Sequence, residues 1–192
     1  MADKTLSLIV IDIPIGLLPQ GPRQCDLQAR RMLPRFRKSS VFPAPLRPML
    51  KAESWNEAKE IRLAIEGKSW THQAFGILKK IREVDQAMTQ DLQQRVREGH
   101  PEVAFLAMNG NRPVVTRKGT KQGRQERMRL ISRFFPDAQE RIEQFDQPRL
   151  VTDLIDAYAC LWVACRVDRG EAVSLPSDPE RDAKGLRVEI VY

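Results

Sequence analysis

Residues Leu8 to Ile13 form a short, largely β-branched run that Pro14 and Gly16 bring to a halt. Such a run reads as a buried strand passing into a loop. Asp12 sits near its C-terminal end. An acid in an apolar strand is costly unless it is paired, protonated or metal-bound, and α/β proteins place their ligands at the carboxyl ends of strands. Helical periodicity dominates the remainder, so the chain reads as α/β.

Hydrophobic residues make up 42% and charged residues 30%, an ordinary globular balance that argues against disorder and against a membrane protein. A length of 192 residues suits one domain over 1–192. The longest apolar run, Leu6 to Ile11, is too short to span a bilayer, and Met1 to Lys4 lacks the features of a secretory signal, so a cytoplasmic address is expected. Cys25, Cys160 and Cys165 follow neither a disulfide framework nor a zinc spacing and read as buried thiols. The net charge of +7 favours an anionic partner, of which nucleic acid is the commonest large one.

Arg23 to Phe36 reads as a helix with Leu27, Met32 and Leu33 inside and Arg30, Arg31, Arg35 and Arg37 outside. Ser39 to Pro45 follows as an extended loop stiffened by two prolines. Ser54-x-x-Glu57 is a capping box opening a helix through Ile61 and Ile65 to Gly67. A second helix, Thr71 to Met88, carries the stripe Phe75, Leu78, Ile81, Val84 and Met88. Gln94 to Glu98 reads as a strand, and His100-Pro101 opens a helix ending at Asn109-Gly110, which crowds Glu98, His100 and Glu102 at one junction. Arg117 to Arg129 holds six basic residues against the single acid Glu126 and passes into a helix burying Met128, Ile131 and Phe134. In the apolar helix Leu150 to Val167, Asp153 and Asp156 are expected on one face. Leu186 to Val191 alternates like a strand.

Asp12, Glu98, Glu102, Asp153 and Asp156 all occupy positions where sites form. If they converge, their mutual repulsion calls for hard cations such as Mg²⁺ or Mn²⁺, which stabilise phosphodiester displacement. Each acid also has a plainer reading: a loop cap for Asp12, arginine pairing for Glu98 and Glu102, a helix-dipole partner for Asp153. His100 either activates water or fixes its junction. His72 has no such company, and no serine or cysteine stands in a nucleophile context.

Several co-linear segments resemble a widespread bacterial and archaeal family described as predicted RNase H-like nucleases. They are Ile11-Asp12-Ile13-Pro14-Ile15-Gly16-Leu17, Cys25-Asp26 with Ala29-Arg30, Ser39 to Pro45, Lys80 to Asp85, Glu98-Gly99-His100-Pro101-Glu102-Val103, Asp153-Leu154-Ile155-Asp156-Ala157 and Gly185 to Ile190. The resemblance implies an RNase H-like mixed sheet flanked by helices, with Asp12, Glu98 or Glu102, and Asp153 or Asp156 holding Mg²⁺ or Mn²⁺. It implies Arg47 and Lys118 as phosphate contacts, Lys118 standing where the family has a Ser-Lys-Lys-Thr-like motif that Gly119 alters here. Family members usually open with a strand bearing an Asp-Gly-Cys-Arg-Gly-Gly-Trp-like motif and the first catalytic aspartate. This chain begins after it, so the resemblance implies a sheet lacking its first strands. The exposed edge of the Asp12 strand would then be covered by an upstream piece or by another chain, as in a homo-oligomer. Three functions follow as expectations: a metal-dependent nuclease acting on DNA or RNA, an inactive or vestigial nucleic-acid-binding module, and a hydrolase of a small phosphorylated molecule.

Overall fold

The computed structural model of the chain describes residues 8–145, 147 and 150–192, so the start of the apolar run, Leu6-Ser7, lies outside it. The β-branched run forms strand β1, Ile9–Ile11. Helix α1, Gln24–Met32, ends short of the predicted Phe36 because Pro34 pushes Leu33 into an extended conformation (φ −83°, ψ 144°). Arg35–Ser40 then forms a separate 3₁₀ turn that takes up the start of the expected loop. A second 3₁₀ turn, Arg47–Lys51, precedes helix α2, Trp55–Glu66. Ser54 Oγ accepts the Glu57 N–H at 3.2 Å, but Glu57 returns its bond to the amide of Glu53 rather than of Ser54. Gly67, at φ 66°, ends the helix in the left-handed conformation that a residue without Cβ adopts readily.

The single helix expected over Thr71 to Met88 is two, α3 (His72–Phe75) and α4 (Leu78–Ala87), divided at Gly76, a poor helix former. A 3₁₀ turn, Leu92–Gln94, leads into strand β2, Val96–Glu98. Helices α5 (Pro101–Met108), α6 (Lys121–Ile131), α7 (Ala138–Glu143) and α8 (Val151–Asp168) follow. Strands β3 (Ser174–Leu175) and β4 (Ile190–Val191) complete the described elements, β4 covering only the end of the strand expected from Leu186.

β1 and β2 run parallel, with Ile9 opposite Val96 and Ile11 opposite Glu98. β4 pairs antiparallel with β3 in a second two-stranded sheet, and an isolated parallel bridge from Gly99 to Val191 sets that sheet beside the end of β2. On its other side Gly99 lies close to β1: a Cβ there would stand 2.5 Å from Val10 Cγ1. Among the described residues β1 is paired on one side alone.

Neighbours in β4 show how the sheet is covered. Val191 packs with Val10, Phe105, Ile131, Ile155 and Val163 beneath α5, α6 and α8, whereas Ile190 packs with Cys25, Ala29, Leu33 and Val103 beneath α1. Successive strand residues point to opposite faces, so helices cover both, the mixed α/β arrangement expected. Each fully buried aliphatic side chain contributes about 1.5–3 kcal/mol of transfer free energy, which makes α8, with Ile155, Ala159, Trp162 and Val163 buried, the principal anchor of the first face. A satellite cluster of Leu46, Met49, Ala58, Trp70 and Leu78 ties the second 3₁₀ turn to α2, α3 and α4. It covers the first half of α2, and Ile65, expected inside, is exposed. Phe134 is likewise exposed rather than buried, since α6 stops at Ile131 and the helical period does not continue to it. No helix among the described residues is long and apolar enough to cross a membrane.

Candidate functional site

Parallel pairing sends the C-terminal ends of β1 and β2 to the same side of the sheet, where crevices in α/β folds bind ligands. Asp12 follows β1 directly, and His100 and Glu102 lie at the start of α5 just beyond β2. Asp156, from the second turn of α8, reaches the same place because α8 packs across β1. The four sense one another electrostatically: the Asp12 carboxyl is drawn down by His100 and Lys118 and pushed up by Glu102, and Asp156 is pushed up by Asp12 and Glu102. In both, burial is the largest influence and leaves the carboxyl above its ordinary value. Asp12 itself is exposed to solvent at the strand end.

Three basic side chains hold this centre. Lys118 Nζ donates to Asp156 Oδ2 at 3.0 Å. Burial draws the Lys118 ammonium down, but Asp156, Asp12 and Glu102 outweigh it and hold the group above its ordinary value. Arg127, wholly buried in α6 against the Phe105 ring, donates to Glu102 Oε1 at 2.7 Å and to the carbonyls of Thr116 and Gly123. Arg37 stands 3.9 Å from Glu102 Oε2 and donates to the carbonyls of Val115 and Thr116.

Lys118 is positioned by a local device. Thr120 caps α6, accepting the Gly123 N–H at 3.0 Å and donating to the Arg117 carbonyl at 2.7 Å. That carbonyl is so near α6 that a Cβ on Gly123 would lie 1.8 Å from its oxygen. A glycine is therefore required for the loop to lie across the helix start and present Lys118 to Asp156.

Among the described residues seven buried side-chain nitrogen or oxygen atoms lack a hydrogen-bond partner, and four of them belong to this centre: Arg37 Nε, Arg127 Nε, His100 Nδ1 and Asp156 Oδ1. Asp156 Oδ1 accepts no hydrogen bond, and neither does His100 Nδ1 take part in one. Buried polar atoms are otherwise almost always satisfied. His100 Nε2 lies 3.3 Å from the Ser40 carbonyl. A carbonyl can only accept, so Nε2 carries a proton, and in the neutral ring the lone pair is then on Nδ1.

The remaining expected residues lie elsewhere. Glu98 is buried beneath the sheet end, where Arg23 Nη1 and Nη2 reach its two oxygens at 2.8 and 2.7 Å and the Ile15 N–H donates to it at 2.6 Å. Arg23 also grips Asp26, so Glu98 belongs to a closed ion-pair centre. Asp153 is exposed at the start of α8. Its three-residue offset from Asp156 turns it far enough round the helix to stay in solvent. Arg47 is engaged by Asp85 and Asp182 and donates to the Leu17 carbonyl, so its guanidinium fastens the second 3₁₀ turn to the 182–186 loop. Sequence reasoning missed Arg37 and Ser40, which lay at the end of an assumed helix and the start of an assumed loop; the signal was Pro34, which forces a separate turn there.

Among the described residues, no group of three or more His, Cys, Asp or Glu side chains is arranged to hold a metal ion by itself. Asp12 and Asp156 are the two carboxylates with oxygens to offer, and Mg²⁺ commonly takes one or two protein carboxylates and completes its shell with water and substrate phosphate. The orphaned Asp156 oxygen fits such a cation. A groove of about 1030 Å³ between α6, α7 and the start of α8 has no member of the acid cluster in its lining.

The class defined so far is a mixed α/β protein with an acid cluster at the ends of parallel strands. Within that class, the chain belongs to the family described as "Protein of unknown function (DUF429)", which matches residues 1–181. Neither the curated proteins nor the solved structures contain a significant match.

Proposed function

We propose that the chain is a metal-dependent nuclease of RNase H-like fold that hydrolyses phosphodiester bonds of DNA or RNA at the Asp12–Asp156 cleft. The observation that carries this reading is the buried, unpartnered Oδ1 of Asp156, an acid close enough to Asp12 to feel its charge. Hard carboxylate oxygens suit Mg²⁺ or Mn²⁺. Asp12 and Asp156 would hold such an ion, whose charge would polarise the phosphodiester and ease loss of a proton from water. His100 Nδ1 accepts that proton while the Ser40 carbonyl holds the ring. Lys118, half exposed on its loop, leaves Asp156 Oδ2 and carries its charge to a phosphate oxygen. Arg127 and Arg37 fix Glu102, which keeps the cleft negative without itself being free to move.

A second reading, a nucleic-acid-binding module without catalysis, is favoured by one observation: Lys118 already compensates Asp156, and Arg127 compensates Glu102. Incubation with labelled DNA and RNA and Mg²⁺ or Mn²⁺ separates the two. Cleavage that Asp156→Asn lowers by at least about a hundredfold, equivalent to the loss of about 2.7 kcal/mol of transition-state stabilisation, is expected from the nuclease. Binding without turnover, in a protein whose calorimetric titration shows no Mn²⁺ uptake, selects the module.

A further inference from the structure

We infer that the cleft takes single-stranded nucleic acid, one base of which stacks on Phe36; the inference rests on the phosphodiester reading above. Phe36 is 55% exposed, whereas Trp70, Phe105 and Trp162 are buried in the core. Its ring is not a loose surface group. The Arg37 guanidinium lies 5.6 Å from the ring centroid, and Arg37 Nε stands 3.9 Å from Glu102. One guanidinium therefore separates an open aromatic face from the acid cluster.

The turn that carries Phe36 is fastened to the site at two points, Arg37 within it and Ser40 at its end. Arg37 grips the carbonyls of Val115 and Thr116, two residues before Lys118, and the Ser40 carbonyl meets His100. On either side of the ring, Arg35 and Lys38 extend into solvent and make no ion pair among the described residues. Open aromatic faces interleaved with unpaired cations are how proteins hold unstacked strands, the ring meeting a base and the cations its phosphates. A duplex keeps its base faces buried against one another, so only a single strand or an extruded base can occupy Phe36. A small phosphorylated molecule without a base would leave this platform without use.

Fluorescence anisotropy in EDTA, where cleavage is stopped, tests this with labelled oligothymidylate, alone and annealed to oligoadenylate. The single strand should bind about tenfold more tightly than the duplex, and Phe36→Ala should remove about tenfold of that affinity. Phe36→Trp should keep the affinity, with its indole emission quenched on binding. Equal binding of the two forms, or single-strand affinity untouched by Phe36→Ala, overturns the inference. Failure of the nuclease reading shows separately: a protein that binds the strand through Phe36 yet cleaves nothing in Mg²⁺ or Mn²⁺ retains the stacking site and loses the chemistry.

Discussion

Two acids emerge almost side by side from the paired strands, since Glu98 lies opposite Ile11 and Asp12 is the next residue, yet their surroundings are opposite in kind. Glu98 meets a buried, doubly bonded guanidinium and a backbone amide, and every partner is rigid. Around Asp12 the counter-charge comes from a half-exposed lysine on a loop, and the neighbouring Asp156 keeps an oxygen with nothing bound to it. Both centres are acidic. What distinguishes them is whether the polar atoms are used up. A closed ion-pair centre holds chain segments together, while an incomplete one has capacity left for a ligand.

The sharpest way to break this comparison is to remove the cation from each centre. Arg23→Met leaves Glu98 and Asp26 buried and uncompensated, and should lower the unfolding free energy by about 3–5 kcal/mol in urea denaturation. Lys118→Met removes a partner that is 49% exposed and should change it by less than about 1 kcal/mol. Similar losses from both would mean that the two centres are alike. Next in size is Gly123→Ala, whose Cβ collides with the Arg117 carbonyl. Thermal unfolding should register a loss of about 1–3 kcal/mol from overpacking, together with slower metal-dependent turnover as Lys118 is displaced. Stability retained in full would show that the loop is not held against the helix.

The smallest effect concerns protons. Burial pushes the Glu98 carboxyl up from 4.5 to about 7, against the pull of Arg23. A carboxyl raised in the folded state favours folding most below its unfolded value, and that gain fades as pH climbs through the folded one. Glu98→Gln cannot titrate and should flatten the part of the melting-temperature curve between pH 4.5 and about 7. An unchanged slope would assign it to Asp12 and Asp156, whose carboxyls are also raised.

Local chemistry carried most of what could be read beforehand. The β-branched run, the Ser54 cap, the Gly67 stop, Pro101 at a helix start and the apolar length of α8 each act within a few residues, and each appears at its expected place. Breaks set by Pro34 and Gly76 were legible in principle, but an unbroken apolar period concealed them. The site was harder. Asp12, His100, Glu102 and Asp156 stood out by position and Lys118 through the family resemblance, while Glu98 and Asp153 stood out equally by position and lie apart from them. Which acid meets a buried arginine depends on contacts such as Arg23 to Glu98, 75 residues apart, that no local pattern encodes.

Arg37 also acts as a rivet across the mouth of the cleft. It clips the Val115–Thr116 backbone to the turn bearing Phe36, so the two rims are one mechanical piece. In the proposed nuclease, movement of Lys118 off Asp156 would therefore load the turn that bears Phe36, and a strand held on that turn would load the lysine loop in return.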